Sequence, residues 1–165
     1  MQIRDDCPAD AAEIRAVTDA AFAGVPYSEQ TESRIIDGLR KAGALTLSLV
    51  AVRGKEVIGH IAFSPVQIEG QDCDWYGLGP VSVLPGLQGL GVGAALIREG
   101  LDRLRSIGAR GCVVLGDPRY YGRFGFMHDP HLTYAGGPPQ AFQRLMLEMR
   151  PPQGTVTYHA AFDVA

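Results

Sequence analysis

An α/β fold (α+β in some schemes) is predicted: a mixed, mostly antiparallel sheet of six or seven strands flanked by helices, in a single domain spanning residues 1–165. Three observations predict it. Between Leu45 and Val83, apolar residues alternate with others and the runs are separated by tight turns, the pattern of an antiparallel meander. From Leu90 the apolar period lengthens to that of a helix, through Ala94, Ile97, Leu101 and Leu104. A short β-branched run, Gly111–Leu115 (GCVVL), follows that helix. Strand, helix and strand in this order make one parallel crossover, which is right-handed.

Taken from the N-terminus, Met1 to Arg4 opens with a short strand. Asp10 and Glu13 have the spacing of a capping box, and Ile14, Val17 and Ala21 repeat at helical intervals until Pro26. A second helix is expected from about Ser28, with Ile35, Ile36 and Leu39 on one face and Gly43 at its end. Leu47, Leu49 and Ala51 alternate in the first meander strand. Arg53-Gly54-Lys55 turns the chain into a strand over Val57 to Ile68, in which Pro65 demands a bulge or an edge. A turn at Gly70-Gln71-Asp72 leads into a strand from Cys73 to Val83. After the crossover helix, Gly108 suits a left-handed C-terminal residue. Tyr120 to Phe124 reads as a short helix, and Phe142–Met149 and Thr155–Val164 as two closing strands.

Composition narrows the function. The 165 residues carry a net charge of −3 and are 46% hydrophobic and 20% charged. That balance argues against disorder and against nucleic-acid binding, which needs clustered Lys and Arg. No apolar run has the length to cross a bilayer, and the start MQIRDDCPAD lacks the basic and apolar stretches of a secretory signal. Cys7, Cys73 and Cys112 are odd in number and scattered, so no disulfide framework is expected. A cytoplasmic protein is the expectation.

The richest segment is LGPVSVLPGLQGLGVGAAL, Leu78 to Leu96. Its glycines let backbone approach a ligand closely, and the first amides of the helix lack intrahelical partners. With the helix dipole they favour an anion such as a pyrophosphate. No Lys follows as in a Walker loop, so nucleotide hydrolysis is poorly supported. Asp117 lies where a dinucleotide fold would carry its ribose-binding acid. However, Gly89, Gly91 and Gly93 do not have the G-x-G-x-x-G spacing, and too little chain remains for the missing parallel strands.

On these residues the chain resembles the GNAT family of N-acetyltransferases. Gln88-Gly89-Leu90-Gly91-Val92-Gly93 matches the Q/R-x-x-G-x-G/A acetyl-CoA signature, and Tyr121-Gly122-Arg123-Phe124-Gly125-Phe126 matches the Y-x-x-x-G-F segment. The wider runs LGPVSVLP and VVLGDPRYYGRFGF look like the YhbS-type branch of the family. The resemblance implies acetyl-CoA as co-substrate and splayed fourth and fifth strands. It implies that Gln88, Gly89, Leu90, Gly91, Val92, Gly93 and Ala94 hold the pyrophosphate. It further implies that Val81 and Val83 pair with the pantetheine arm, and that an amide at Val81 or Ser82 polarises the thioester carbonyl. Tyr121 becomes the acid that protonates the departing thiolate, with Tyr120 the competing assignment. The family often has Asn where this chain has Asp117.

No general base is evident. Glu29 and Glu32 are more simply helix-start carboxylates, and His60, mid-strand among apolar residues, a core histidine. The His128-Asp129-Pro130-His131 run makes a poor metal site, and no metal is expected. Cys112 reads as packing, and Ser82 lacks the context of a nucleophile elbow. The reaction expected is direct acetyl transfer to a primary amine on a small metabolite, peptide or protein lysine, with no nucleic-acid or membrane partner and a homodimer possible. The alternative is a non-catalytic acyl-CoA-binding sensor. An aminoacyl-tRNA-modifying toxin would want a basic face, which the net charge does not supply.

Overall fold

The computed structural model describes residues 1–150 and 152–164. The meander is β2 (Leu47–Arg53), β3 (Glu56–Ile68) and β4 (Gln71–Val83), all antiparallel, with β1 (Gln2–Asp5) outside β2. The helix α3 (Val92–Ser106) crosses over to β5 (Gly111–Leu115), which lies parallel to β4. Beyond β5 runs antiparallel β7 (Phe142–Met146), giving the order β1-β2-β3-β4-β5-β7. The far end of β3 also pairs with β8 (Gly154–Tyr158), and β8 with the two-residue β6 (Leu132–Thr133). Among the described residues the sheet thus has eight strands rather than six or seven.

Leu96, Ile97, Leu101 and Leu104 of α3 pack on one face of the sheet against Leu49, Ile61 and Phe63. Ile14 and Val17 of α1 (Ala11–Phe22) and Ile36 of α2 (Glu32–Lys41) join Val50 and Val57 in a separate cluster. Pro65 falls where β3 has left β2, at Phe63, and has not yet met β8, at Val66. Pro65 does pair with Tyr76 of β4, but the residues of β3 that hydrogen-bond β4 alternate through Ile58 and His60. Its nitrogen is therefore directed to the unpaired side, and its missing N–H costs the β4 ladder nothing.

Several boundaries differ from expectation, each for a local reason. Asp10 does not cap α1 through its side chain. Its buried carboxylate accepts from the Cys7 N–H at 2.8 Å and from Arg4 at 2.8 and 3.1 Å. Glu13 reaches instead to the N–H of Val57, 3.2 Å away. α2 begins at Glu32 rather than Ser28, whose hydroxyl donates to the Glu32 carboxylate. The β3–β4 turn is Glu69-Gly70, both residues at positive φ, which is the tight hairpin turn matched to strand twist. The last expected strand stops at Tyr158, and Ala160–Asp163 form a 3-10 turn capped by His159, which accepts from the Ala161 N–H at 3.0 Å. The strand expected over Phe142–Met149 stops at Met146.

Candidate active site

Parallel pairing between β4 and β5 covers Trp75 to Gly77 and Gly111 to Val113, and there it ends. Beyond Gly77 the two strands splay, which leaves one edge of β4 open. The open edge can be assigned atom by atom. Leu84 donates its N–H to Ile58 O at 3.0 Å, and the register sets Ser82 opposite His60. Hydrogen-bonded pairs alternate along an antiparallel ladder. The backbone groups of Ser82 therefore engage His60, and those of Val81 and Val83 point into the splay. Of the two amides considered for a carbonyl-polarising role, only that of Val81 faces the opening.

The chain leaves β4 through a 3-10 turn at Pro85–Leu87 and enters α3 through the glycine run. Gly91, at φ +89°, is the left-handed residue immediately before the helix, which therefore starts at Val92 rather than near Leu90. Among the described residues, the N–H groups of residues 89–94 find no acceptor in the chain; the first helical bond is from Ala95 N–H to Gly91 O at 3.0 Å. A Cβ placed on Gly89 or Gly91 would meet nothing within 4 Å, so these amides open onto free space. Gln88 braces the turn, its side-chain amide donating to Val83 O at 3.0 Å.

A cavity of about 400 Å3 lies along these elements. Val81, Val83 and the glycine run form one wall, and Phe22, Val25 and Tyr27 from the end of α1 and the loop after it form another. Tyr120 and Arg123 close the third side. Of the residues expected to bind cofactor, Gln88, Gly89, Gly91, Val92, Gly93, Ala94, Val81 and Val83 line this cavity together. Ser82 and Leu90 do not: the Ser82 hydroxyl donates to Thr18 Oγ1 of α1 at 3.3 Å, and the Leu90 side chain is 72% exposed.

The two tyrosines divide. α4 (Pro118–Tyr121) follows β5 and is capped by Asp117, whose carboxylate accepts from the Arg119 N–H at 2.9 Å. Asp-Pro at a helix start is a readable capping signal, and it gives Asp117 a local role. Tyr120 faces the cavity, and its hydroxyl stands 3.6 Å from where a Cβ of Gly93 would be. Tyr121 turns inward against the core, edge-on to Tyr120 and Phe126 at 5.1 and 5.9 Å between ring centroids. A Cβ on Gly116 would collide with the Tyr121 ring. Burial raises the Tyr121 phenol well above its ordinary pKa, so it stays protonated. Burial raises Tyr120 too, opposed by the charges of Arg123 and Arg98.

The other candidates lie away from the cavity. His60 is buried, with Nε2 2.8 Å from the Ser48 hydroxyl, which donates to Asp6 at 2.6 Å; Arg40 donates to the same carboxylate oxygen at 2.8 Å. Desolvation lowers the His60 pKa to about 4. Glu29 is exposed and Glu32 holds Ser28. Among the described residues, no three His, Cys, Asp or Glu side chains converge as metal ligands, and no helix is long and apolar enough to cross a membrane. Cys112 is buried in the α3-side core, its thiol pushed up by desolvation. Sequence reasoning missed Arg123 and the Phe22–Tyr27 wall. Arg123 sits inside the Y-x-x-x-G-F segment, where its charge was legible but its direction was not.

Comparison with known proteins agrees with this geometry. The Acetyltransferase (GNAT) family matches residues 12–126. The uncharacterized N-acetyltransferase YhbS of Escherichia coli strain K12 is 37% identical over 171 aligned positions, which cover 99% of each chain. A crystal structure of a GNAT family acetyltransferase from Brucella melitensis, in complex with acetyl-CoA, is 58% identical, with a TM-score of 0.89 over 98% of this chain and 97% of its own. That of Escherichia coli YhbS in complex with CoA is 36% identical, with a TM-score of 0.90 over 99% of this chain and 92% of its own. Free helix-start amides, a splayed β4 edge and full-length likeness to these proteins lead to one conclusion: this chain belongs to the acetyltransferase (GNAT) family.

Proposed function

We propose that the protein is an acetyl-CoA-dependent N-acetyltransferase acting on a primary amine of a metabolite, peptide or protein lysine by direct transfer. The observation that carries this reading is the run of free amides at residues 89–94 beside the open edge of β4. Amides and the positive end of α3 suit a diphosphate. Gly89 and Gly91 leave room for it, and the outward groups of Val81 and Val83 suit an amide-bearing arm lying as an added strand. Acetyl-CoA supplies an acyl group on a thioester, activated towards amines. The chain's own part is to hold that group, polarise its carbonyl through the Val81 N–H, and deliver a proton to the leaving sulfur. The amine nitrogen forms the C–N bond, the C–S bond breaks, the sulfur takes a proton from a phenol, and the proton the amine loses to water returns through solvent to the phenolate.

Tyr121 is the proposed donor. What supports it is its place in the Y-x-x-x-G-F segment. Burial keeps its phenol protonated, although the ring packs on the core rather than in the cavity lining. Tyr120 is the second reading for the same step, favoured by its position on the cavity wall. A non-catalytic acyl-CoA sensor is also supported by one observation: among the described residues, no carboxylate or histidine lines the cavity to take the amine's proton. Calorimetric titration with acetyl-CoA, followed by a thiol-release screen over a panel of amines, tests both. Binding with turnover on any amine supports the transferase. Binding without turnover across small amines, peptides and lysine-bearing proteins supports the sensor, and no binding overturns both.

A further inference from the structure

Most arginines of this acidic protein are neutralised by a neighbouring carboxylate; Arg4 pairs with Asp10, Arg40 with Asp6 and Arg119 with Asp117. Among the described residues, Arg98 and Arg123 have no acidic partner, yet neither swings free. The Arg98 guanidinium lies 5.1 Å from the centroid of the Phe124 ring, and that of Arg123 lies 4.5 Å from the centroid of Tyr120. Arg123 is pinned further by its Nε, which donates to Tyr120 O at 2.9 Å. The two supporting rings touch each other, at 5.5 Å between centroids. Stacking fixes a planar cation while its terminal N–H groups stay available.

Arg123 borders the candidate cofactor site, lining the cavity with the glycine run. Arg98 lies outside that lining, on the second turn of α3 and next in sequence to the lining Ile97. The fields of both reach the Tyr120 phenol, which rests on Gly93 in the first turn. Nearby carboxylates are already committed: Glu99 to Arg103, and Asp117 to Arg119. Two preorganised guanidinium groups in a chain of net charge −3 form a place for a dianion beyond what backbone amides can hold. A helix start contributes only about half an elementary charge, enough to share in a diphosphate but not to hold a separate phosphomonoester.

We propose that Arg98 and Arg123 form a subsite for the ribose phosphomonoester of CoA, so that the protein selects CoA over dephospho-CoA. The proposal rests on the acetyl-CoA reading above and deepens it. A purely structural role for the pair, holding the Tyr120–Phe124 cluster together, predicts a different pattern, because it would lower melting temperature and affect both ligands alike.

The test is calorimetric titration of the whole protein with CoA and with dephospho-CoA, for wild type, Arg98→Gln, Arg123→Gln and, as a control, Arg119→Gln. A charge-assisted phosphate contact is worth about a tenfold or greater change in affinity. Wild type is expected to prefer CoA by roughly tenfold to a hundredfold. Each of the first two variants should lose about tenfold towards CoA and no more than about twofold towards dephospho-CoA, and the control should change neither. Equal wild-type affinity for the two ligands, or equal losses for both in the variants, overturns the subsite and leaves the acetyl-CoA reading standing. Failure of wild type to bind either ligand overturns both. Phosphorus NMR of CoA titrated with wild-type protein needs no variant: the phosphomonoester resonance should show a lowered pKa when bound, and an unshifted titration of bound ligand counts against the subsite.

Discussion

The side-chain amide of Gln88 donates to the carbonyl of Val83 at 3.0 Å, joining the last residue of β4 to the turn that leads into α3. The carbonyl it holds is one that faces the splay, because hydrogen-bonded pairing with β3 falls on Ser82 and Leu84 instead. Gln88 therefore ties the two halves of the candidate site, the strand edge and the free amides, into one frame. Gln88→Glu places a carboxylate against that carbonyl and a negative charge beside the amides. Acetyl-CoA affinity should fall by more than about tenfold, against a few-fold loss for Gln88→Ala. Calorimetry reads both, and a glutamate variant that binds like wild type removes Gln88 from the frame.

Gly91 separates backbone shape from charge. At φ +89° it takes a conformation that costs an ordinary side chain roughly 1–2 kcal/mol, with asparagine and aspartate the best tolerated. Gly91→Asn and Gly91→Asp are close to isosteric, so the difference between them isolates the electrostatics at the helix start. Gly91→Asp should weaken acetyl-CoA binding by at least about tenfold more than Gly91→Asn, while the two melt within a few degrees of each other. Equal affinities would show that no anion sits over this turn.

The two tyrosines make opposite predictions in turnover. If Tyr121 gives the proton, Tyr121→Phe should lower kcat by roughly a hundredfold and leave acetyl-CoA affinity within about twofold. Tyr120→Phe should mainly weaken binding, since that hydroxyl stands over Gly93 at the cavity wall. The reverse pattern in steady-state kinetics moves the acid role to Tyr120.

Packing beneath α3 gives a stability test in which simple propensity points the wrong way. Glycine in a helix interior is normally about 1 kcal/mol worse than alanine. Gly100, however, sits in the middle of α3 directly on the buried Phe63 ring, which already occupies the space a Cβ would need. Gly100→Ala should therefore destabilise by about 1–3 kcal/mol. A raised melting temperature in a thermal scan would mean that the α3–β3 contact yields more easily than this geometry allows.

These residues also show what could be read without the fold. Glycines and Gln88 were legible because their spacing reports backbone demands that few other residues meet. The meander was legible because Leu47, Leu49 and Ala51 alternate on a face that must be buried. Asp10 was not, because a carboxylate before a helix reads as a cap whether or not Arg4, on a separate strand, takes it. β6 was invisible, since two residues carry no period and Leu132–Thr133 is a strand only because β8 lies beside it. Direction was the larger loss. Tyr120 and Tyr121 are adjacent and chemically identical and both touch the core, and only the turn of α4 puts one on the cavity wall and the other off it.

His60 shows how a buried group outside the cavity shapes the pH response. Its imidazole lies under the sheet with Nε2 on the Ser48 hydroxyl and a buried Nδ1 that has no partner among the described residues. Desolvation lowers its pKa from 6.5 to about 4, with nearby Asp6 opposing and Arg40 assisting. The folded state therefore binds fewer protons than the unfolded state between these two values. Its contribution is complete above the unfolded pKa and is lost as pH falls from 6.5 towards 4. A shift of this size corresponds to ~3 kcal/mol. His60→Gln keeps a polar partner for Ser48 but cannot titrate. Urea unfolding between about pH 7 and pH 4.5 should show wild-type stability falling more steeply than that of the variant, by about 2 kcal/mol over the range. Parallel curves would mean that the ring finds a proton acceptor when protonated, with Asp6 relayed through Ser48 as the nearest one.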